Sequence, residues 1–315
     1  MDHPHGIVAI DTGFFRPRFD ASHLIVERGR AAFVDVGTNY SVPALLDALA
    51  AAGLTPAAVD WVILTHVHLD HAGGAGALLE RLPNAQLVVH PRGARHMIDP
   101  AKLVAGASSV YGEDEVRRTY GDLVPVPAAR VVEAADGHIV DLAGRPLLCL
   151  DTPGHAYHHL CVWDARSRSA FTGDTFGLSY REFDSARGAF IVPTTTPVQF
   201  DPPALKASIA RLLALAPEAM YLTHYSRVED VARLGRDLIE QIDAMVAIAQ
   251  ARADAPDRHA RIVEDLAALY LPRAVAHGSA LDQSQMRELL AMDLELNAQG
   301  LEVWLDRERA AAAGG

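Results

Sequence analysis

The sequence of 315 residues has only two cysteines, Cys149 and Cys161, and it lacks any long uncharged apolar run. Two cysteines are too few for a disulfide framework, so we expect a fold held by a hydrophobic core, with both thiols free and buried. No apolar run reaches the ~18 residues of a membrane helix, which argues against a membrane protein. The first residues show no basic start followed by an apolar core, so we expect no signal peptide and a cytoplasmic location.

Basic residues are also scarce relative to acidic ones. Lysine and arginine together number 28 and aspartate and glutamate 40, which gives a formal net charge of −12. This balance argues against a nucleic-acid partner, because no basic cluster interleaved with aromatic residues compensates for it. The expected partner is therefore a small-molecule substrate. The length allows one large domain, or one domain with an accessory region.

Potential metal ligands are concentrated in one short segment. His66, His68, Asp70 and His71 directly follow the apolar run 61–64. Neutral imidazoles and carboxylates suit zinc, iron or manganese. His66 and His68 are two residues apart, so on an extended segment their side chains point the same way. A cluster of this kind at a strand end can hold two ions side by side.

Three further metal-compatible side chains follow short apolar or strand-like runs later in the chain. They are His155 after the run 147–150, Asp174 after a β-prone segment, and His224 after a helix and a short strand-like run. Strand ends feed the loops in which α/β folds place their chemistry. We therefore expect these side chains to converge with the first cluster.

Taken in this order, the motifs resemble the metallo-β-lactamase superfamily of dinuclear metal hydrolases, over about residues 5–230. The resemblance implies an α/β fold, namely the four-layer αβ/βα sandwich of that superfamily. It implies two divalent metal ions, with zinc favoured and with iron and manganese as alternatives. The resemblance implies that one ion is bound by His66, His68 and His155, and the other by Asp70, His71 and His224. It implies that Asp174 bridges the two ions. Asp35 stands where the family often keeps an acid behind the metal ligands.

The resemblance also indicates a branch of the superfamily. A carboxylate at the position of Asp174 is typical of glyoxalase-II-like, lactonase-like and phosphodiesterase-like members, whereas true β-lactamases usually lack it. His159 also fits a motif common to glyoxalase-II-like members, although His158 replaces their frequent glycine. The implied reaction is hydrolysis of a small ester, lactone or thioester by a metal-bridging hydroxide. Asp70 has a catalytic role as well, because it can accept or relay a proton as the leaving group departs.

Three other functions compete with this hypothesis. Iron in the same ligands would favour a redox enzyme that acts on oxygen or persulfide, and metal analysis with an oxygen-uptake assay separates it from a hydrolase. A phosphodiesterase acting on small molecules is the next alternative. A non-enzymatic metal-binding protein is the least favoured alternative, because a site without catalytic function would not require seven donors.

The rest of the chain predicts the surroundings of this site. We interpret residues 97–127, a polar and turn-rich stretch with helix-prone pieces, and residues 176–199 as long loops that form site walls, with Tyr180 and Arg181 as candidate substrate contacts. Residues 1–226 are predicted to form the catalytic domain, and residues 227–315 a helical C-terminal region. A capping box at Ser226 would begin its first helix, and further helices are expected at about 258–270 and 283–304, with turn signals near Pro272 and Gly278. This region either shapes the substrate site or forms a homo-oligomer.

Strands are predicted wherever short β-prone runs are bounded by turn residues. The expected strands are 7–10, 23–26, 61–64 and 87–90 in the first half, and 139–141, 147–150, 160–163 and 170–171 in the second. Helices are expected at 42–52 and 75–81. Asp201 and Pro202 are expected to cap and open a further helix.

Overall fold

The computed structural model describes residues 2–196 and 198–313, and the chain forms two compact units. The first unit contains the chain up to Asp151, together with His158–Gly173 and Met220–Arg227. The second unit contains Thr152–Tyr157, Asp174–Ala219 and the chain from Val228 onward. The predicted domain boundary after residue 226 stays a prediction.

Within the described residues, the strands form one sheet of seven and one sheet of six. The first sheet follows chain order and consists of β1 (Asp2–His3), β2 (Ile7–Asp11), β3 (Ala21–Glu27), β4 (Arg30–Val34), β5 (Val59–Ile63), β6 (Gln86–Val89) and β7 (Val131–Glu133). The second sheet consists, in chain order, of β8 (Ile139–Leu142), β9 (Arg145–Asp151), β10 (Leu160–Asp164), β11 (Ser169–Gly173), β12 (Ala219–Leu222) and β13 (Ser226–Val228). The predicted strands are therefore confirmed, and none of their ends moves by more than two residues.

Parallel pairing in the first sheet decides where the candidate ligands lie. Strands β4, β5 and β6 are parallel neighbours, so their carboxyl ends share one edge of the sheet. Asp35 follows β4, and the segment with His66 and His68 follows β5 at this edge. The sheet therefore brings Asp35 close to the first ligand cluster, although thirty residues separate them in sequence.

Apolar side chains pack on both faces of the first sheet. On one face, strand residues such as Phe33 and Val62 pack with the helices α1 (Val42–Ala51), α3 (Ala75–Arg81) and α4 (Pro91–Ile98). On the other face, residues such as Ile25 and Ile63 pack with Val162 of the second sheet. The short helix α2 (Leu69–Ala72) lies between β5 and α3 in the chain. Two sheets with helices and further C-terminal helices confirm the predicted α/β sandwich.

The second unit is mainly helical. Its helices are α7 (Pro202–Ala214), α8 (Val231–Ala251), α9 (Arg258–His277), α10 (Gln283–Leu289) and α11 (Ala291–Ala313). The Asp201 side chain accepts a hydrogen bond from the backbone N–H of Ala204, so the predicted cap of α7 is confirmed. Helix α9 contacts α8, α10 and α11. Whether this helical region shapes a substrate site or forms a homo-oligomer stays a prediction.

The interpretation of residues 97–127 as a long loop is wrong for most of that segment, although the helix-prone pieces noted there do form helices. It contains the end of α4, then α5 (Ala101–Tyr111) and α6 (Glu113–Tyr120), which are separated by Gly112. Gly112 and Gly121 both have a positive φ and end the two helices. The polar composition that indicated a loop belongs instead to helix faces that are exposed to solvent.

Two predictions for the C-terminal region are also wrong. Ser226 does not begin a helix but opens the strand β13, and α8 starts after Asp230, whose φ of 55° is left-handed. A strand contact with β12 thus overrides the local capping signal. Pro272 does not end α9 either, since the helix continues to His277 and ends at Gly278 with a φ of 93°.

The cysteine prediction is confirmed, since Cys149 and Cys161 are free and buried. Burial raises the pKa of the Cys149 thiol to about 12. In the described residues, no helix combines the length and the apolar character that crossing a membrane requires.

A buried ion pair lies in the first unit. The Arg145 guanidinium donates to both carboxylate oxygens of Asp164, at 3.2 and 2.5 Å, and both side chains are almost fully buried. Burial opposes ionisation of Asp164, but hydrogen bonds from Arg145 and Ser167 outweigh it and lower the pKa of this carboxyl. The pair therefore depends on a carboxylate that stays ionised at neutral pH.

Arg145→Ala is expected to lower the free energy of unfolding by about 3–5 kcal/mol at neutral pH, because it leaves the Asp164 charge buried without its partner. Since the folded-state pKa of Asp164 is depressed, this contribution is present above its ordinary pKa and is lost as the pH falls through the lowered value. Urea denaturation over an acidic pH series measures the difference. Arg28→Ala, which removes an exposed arginine, is the control and should change stability by less than about 0.5 kcal/mol.

Candidate metal centre

The first four candidate ligands lie on one strand-to-helix connection in the first unit. His66 and His68 follow β5, and Asp70 and His71 lie on α2. The Nε2 atom of His66 is 2.8 Å from Nδ1 of His68, and the ring centroids of His66 and His71 are 4.0 Å apart. The connection therefore places three imidazoles in contact, as the spacing of the motif predicts.

His224 joins this group from the end of β12. Asp70, His71 and His224 each offer a ligand atom, and these atoms lie within 4.8 Å of one another. The Oδ2 atom of Asp70 is 3.5 Å from Nε2 of His71 and 3.6 Å from Nε2 of His224. Both histidines are buried, whereas the Asp70 side chain is 22% exposed. One carboxylate oxygen thus faces two imidazole nitrogens, an arrangement that can hold a metal ion.

Asp35 connects this cluster to two threonines. Its carboxylate accepts hydrogen bonds of 2.8 Å from the backbone N–H and hydroxyl of Thr65, from the hydroxyl of Thr223 and from Nδ1 of His71. Asp35 is 1% exposed and has a left-handed φ of 53°. A non-glycine residue is held in this region only where its surroundings impose it. The contacts show that Asp35 fixes the orientation of the His71 ring through its Nδ1 atom.

The hydrogen bonds also decide which ring nitrogen each histidine presents. Nδ1 of His71 faces the Asp35 carboxylate, and Nδ1 of His224 faces the backbone carbonyl of Phe19 at 3.1 Å. Carboxylate and carbonyl oxygens only accept, so Nδ1 must be the protonated nitrogen in both rings. In the neutral form, Nε2 therefore carries the lone pair, and it is Nε2 that faces Asp70 in both cases.

The Thr65 hydroxyl decides which ring nitrogen of His66 is protonated. The Thr65 hydroxyl donates its hydrogen to Asp35, so it accepts from Nδ1 of His66 at 3.2 Å. The Nε2 lone pair of His66 then faces Nδ1 of His68. If Nδ1 of His68 is the protonated nitrogen, it donates a hydrogen bond of 2.8 Å to this lone pair, and a bound metal ion would take the place of that proton.

The two candidate ligands in the second unit form a similar pair. His155 follows β9 and Asp174 follows β11, and Nε2 of His155 lies 3.2 Å from Oδ2 of Asp174. The Thr194 hydroxyl donates to the Asp174 carbonyl at 3.2 Å, so it accepts from Nδ1 of His155 at 3.0 Å. His155 therefore also presents Nε2, and both side chains are buried.

The donor set fits a divalent metal ion. His66 and His71 are fully buried. In the neutral form of these rings, the hydrogen bonds to Nδ1 leave the lone pair on Nε2, and carboxylates nearby supply negative charge. Zinc, iron and manganese bind neutral imidazole and carboxylate ligands. A histidine that binds a metal usually donates its other ring N–H to a hydrogen-bond acceptor, which fixes the orientation of the ring.

Comparison with known proteins agrees with this chemistry. The family model of the metallo-β-lactamase superfamily matches residues 16–224, more than half of the chain. The chain belongs to the metallo-β-lactamase superfamily. This superfamily consists mostly of metal-dependent hydrolases and typically binds metal ions.

Two relatives show how far the similarity extends. The metallo-β-lactamase fold-containing protein ST1585 of Sulfurisphaera tokodaii is 29% identical over 170 residues, which are 53% of this chain and 60% of ST1585. The hydroxyacylglutathione hydrolase of Acidiphilium cryptum is 28% identical over 260 residues, 80% of this chain and 85% of that enzyme. The crystal structure of ST1585 has a TM-score of 0.66 at 22% identity and covers 95% of this chain and 99% of that chain, which shows the fold alone.

Within the superfamily fold, the candidate substrate contacts have partners inside the protein. Tyr180 is 1% exposed, and its hydroxyl lies 3.1 Å from the Asp293 carboxylate. The Arg181 guanidinium donates to the carbonyl and hydroxyl of Ser179 and lies 3.6 Å from Asp184. Their roles in binding substrate, like the ligand roles of the seven donors, stay predictions.

Sequence reasoning missed the groups that orient the ligands. Thr65 precedes His66 and Thr223 precedes His224, and both threonines donate to the same Oδ2 of Asp35. The repeated Thr-His pair at two strand ends was the available signal. Asp20 was also missed: it is fully buried with its Oδ1 atom 3.9 Å from Nδ1 of His224. Burial raises the pKa of Asp20 to about 7, against the opposing effect of His224.

Proposed function

We propose that this protein is a dinuclear metal-dependent hydrolase of a small ester, lactone or thioester. The observation that carries the proposal is the set of buried imidazoles of His66, His71 and His224, in which Nδ1 of each ring is hydrogen-bonded and Nε2 of His71 and of His224 faces the carboxylate of Asp70. An arrangement oriented in this way is what metal-assisted hydrolysis requires. Family membership supports the same class of reaction.

The proposed ligand assignment follows the pattern of the superfamily. His66, His68 and His155 would hold one ion, and the other ion would be held by Asp70, His71 and His224. Asp174 would bridge the two, and its negative charge would allow two cations to lie together. Zinc is favoured, with iron and manganese as alternatives. When bound, the ions would supply a nucleophilic water at neutral pH and would polarise the substrate carbonyl.

The chain's own residues would hold the reacting groups in place. Asp35 fixes His71 and both threonines, so the ligand geometry would not relax during turnover. The Oδ2 atom of Asp70 faces the imidazoles of His71 and His224, and Asp70 is more exposed than either histidine. We propose that its Oδ1 atom accepts the proton that is moved as the leaving group departs.

The relatives guide the choice of substrate. The similarity to a hydroxyacylglutathione hydrolase extends over 80% of this chain and 85% of that enzyme. A glutathione thioester is therefore among the first substrates to test. Esters and lactones undergo the same attack on a carbonyl carbon and belong in the same test.

The proposal is tested by loading the purified chain separately with zinc, iron and manganese. Each form is assayed against p-nitrophenyl esters, lactones, glutathione thioesters and phosphodiesters, with oxygen uptake measured in parallel. We expect hydrolysis of a carboxylic substrate that a chelator removes and added metal restores. Hydrolysis of phosphodiesters alone, or oxygen uptake without hydrolysis, would contradict the proposal and favour the corresponding alternative.

A further inference from the structure

A short segment between β11 and α7 holds one of the candidate ligands in the second unit. It consists of residues 193–196, and we call it the threonine segment. The Thr194 hydroxyl lies 3.0 Å from Nδ1 of His155 and donates to the Asp174 carbonyl at 3.2 Å. The Thr196 hydroxyl donates to the backbone carbonyl of His155 at 3.0 Å. The threonine segment therefore fixes both the ring and the backbone of His155.

Helix α11 in turn holds the threonine segment through one buried side chain, that of Asn297. Its Nδ2 atom donates to the Pro193 carbonyl at 3.0 Å, and its Oδ1 atom accepts from the backbone N–H of Thr195 at 2.8 Å. The Thr195 hydroxyl donates back to the Leu296 carbonyl of α11 at 3.1 Å. Asn297 is 2% exposed. One amide thus binds the backbone on both sides of Thr194, the residue whose hydroxyl contacts His155.

The Asn297 amide has its own support from α9. Its Nδ2 atom also lies 3.4 Å from the hydroxyl of Tyr270, which is fully buried. An asparagine amide has two N–H donors and one carbonyl acceptor, and here Nδ2 faces two acceptors while Oδ1 faces a donor. The partners therefore fix the orientation of the amide, so it holds the threonine segment in one position.

Gly300 allows α11 to approach the threonine segment closely. A β-carbon at this position would lie 2.1 Å from the hydroxyl oxygen of Thr195 and 2.8 Å from the carbonyl oxygen of Thr196. Both distances are far shorter than van der Waals contact, so a larger residue would push the helix and the threonine segment apart. Glycine is unfavourable inside a helix, and this close approach is the physical reason for it here.

We propose that Asn297 is a positioning residue for metal binding, which acts through the threonine segment to fix the orientation of His155. The inference rests on the proposed hydrolase function and gives α11 a role in it. Nε2 of His155 faces Asp174 at 3.2 Å, so a rotation of this ring would separate the two candidate ligands. Loss of a group that orients a metal-binding histidine costs roughly 10–100-fold in metal affinity. Because Asn297 acts through Thr194, we expect the lower end of this range.

The test measures the affinity of the full chain for zinc by competition with a chromophoric chelator. His155→Ala and His224→Ala identify the binding phase that depends on each histidine. Asn297→Ala is expected to weaken the His155 phase about tenfold and to leave the His224 phase within about twofold. Gln241→Ala is the matched control, because this amide on α8 is 1% exposed and donates to the Ile191 carbonyl at 3.0 Å, outside the threonine segment. Equal affinities in the two variants would overturn the inference.

A double-mutant cycle with Thr194→Val tests whether Asn297 acts through Thr194. Valine has nearly the shape of threonine but lacks the hydroxyl that contacts His155. In the Thr194→Val background, Asn297→Ala should lower zinc affinity by less than about twofold, because the contact it supports is already lost. A further loss of about tenfold in that background would indicate general destabilisation and would overturn the inference.

Gly300→Ala keeps the Asn297 amide and displaces the threonine segment instead, so it tests the inference if Asn297→Ala does not fold. We expect the same loss of about tenfold in the His155 phase. Unchanged zinc affinity in folded Gly300→Ala would contradict the role of the threonine segment.

Zinc affinity is measured without substrate, so this inference and the proposed function can fail separately. If zinc affinity depends on Asn297 but no metal form hydrolyses a carboxylic substrate, the proposed function is wrong and the positioning role stands. If substrates are hydrolysed but Asn297→Ala binds zinc as tightly as Gln241→Ala does, the positioning role is wrong. A chain that binds no zinc, iron or manganese would overturn both.

Discussion

Asp174→Ala is expected to abolish hydrolysis and to remove at least one equivalent of bound metal. Asp174 is buried, its Oδ2 atom lies 3.2 Å from Nε2 of His155, and its backbone carbonyl is held by Thr194. In the proposed centre, this carboxylate would bridge the two ions. Its loss would remove a ligand from both ions and the negative charge that offsets their mutual repulsion.

Metal content by elemental analysis and kcat on the best substrate measure this effect. Asp174→Asn keeps the size of the side chain and removes its charge, so it separates the charge from the packing. Asp243→Ala removes an exposed carboxylate on α8 and serves as the control that retains metal and activity. Unchanged metal content and turnover in Asp174→Ala would contradict the bridging role.

Asp35→Ala is expected to weaken metal binding about 10–100-fold and to lower the free energy of unfolding by about 3–5 kcal/mol. The carboxylate accepts four hydrogen bonds in a buried site, from Thr65, Thr223 and His71. Without it, these donors stay buried without their acceptor, and His71 can rotate. A single substitution would thus affect both stability and the orientation of a ligand.

Two measurements distinguish these effects of Asp35. Urea denaturation of the metal-free protein gives the change in stability, and competition with a chromophoric chelator gives the metal affinity. Asp35→Asn retains an acceptor oxygen and should give an intermediate loss of both. If Asp35→Ala destabilised the chain but bound metal with unchanged affinity, Asp35 would be a purely structural residue.

Much of the secondary structure could be read from the sequence because its signals are local. Short apolar runs such as 147–150 and 160–163 predict strands from their own composition, and they lie within β9 and β10. Asp201 and Pro202 predict the start of α7 because capping involves only the first turn of a helix. These elements formed where their residues predict them.

Other local signals were overridden by contacts that the sequence does not display. The capping box at Ser226 predicts the start of a helix, but Ser226 instead belongs to a strand that pairs with β12. Helix α8 starts five residues later. Pro272 is tolerated inside α9 because the helix packs against α8 and α11. Packing stabilises a helix more than propensity does, so a single unfavourable residue need not end it.

By itself, the sequence determined the residue types and the order of the seven candidate ligands, since a donor's chemistry belongs to its side chain. Only the tertiary structure decided that Asp35 binds Thr65, His71 and Thr223, that these bonds direct Nε2 of His71 towards Asp70, and that the Phe19 carbonyl accepts a hydrogen bond from Nδ1 of His224. The physical reason is distance along the chain. Asp35 and Thr223 are 188 residues apart and meet only because strands from two sheets end close together.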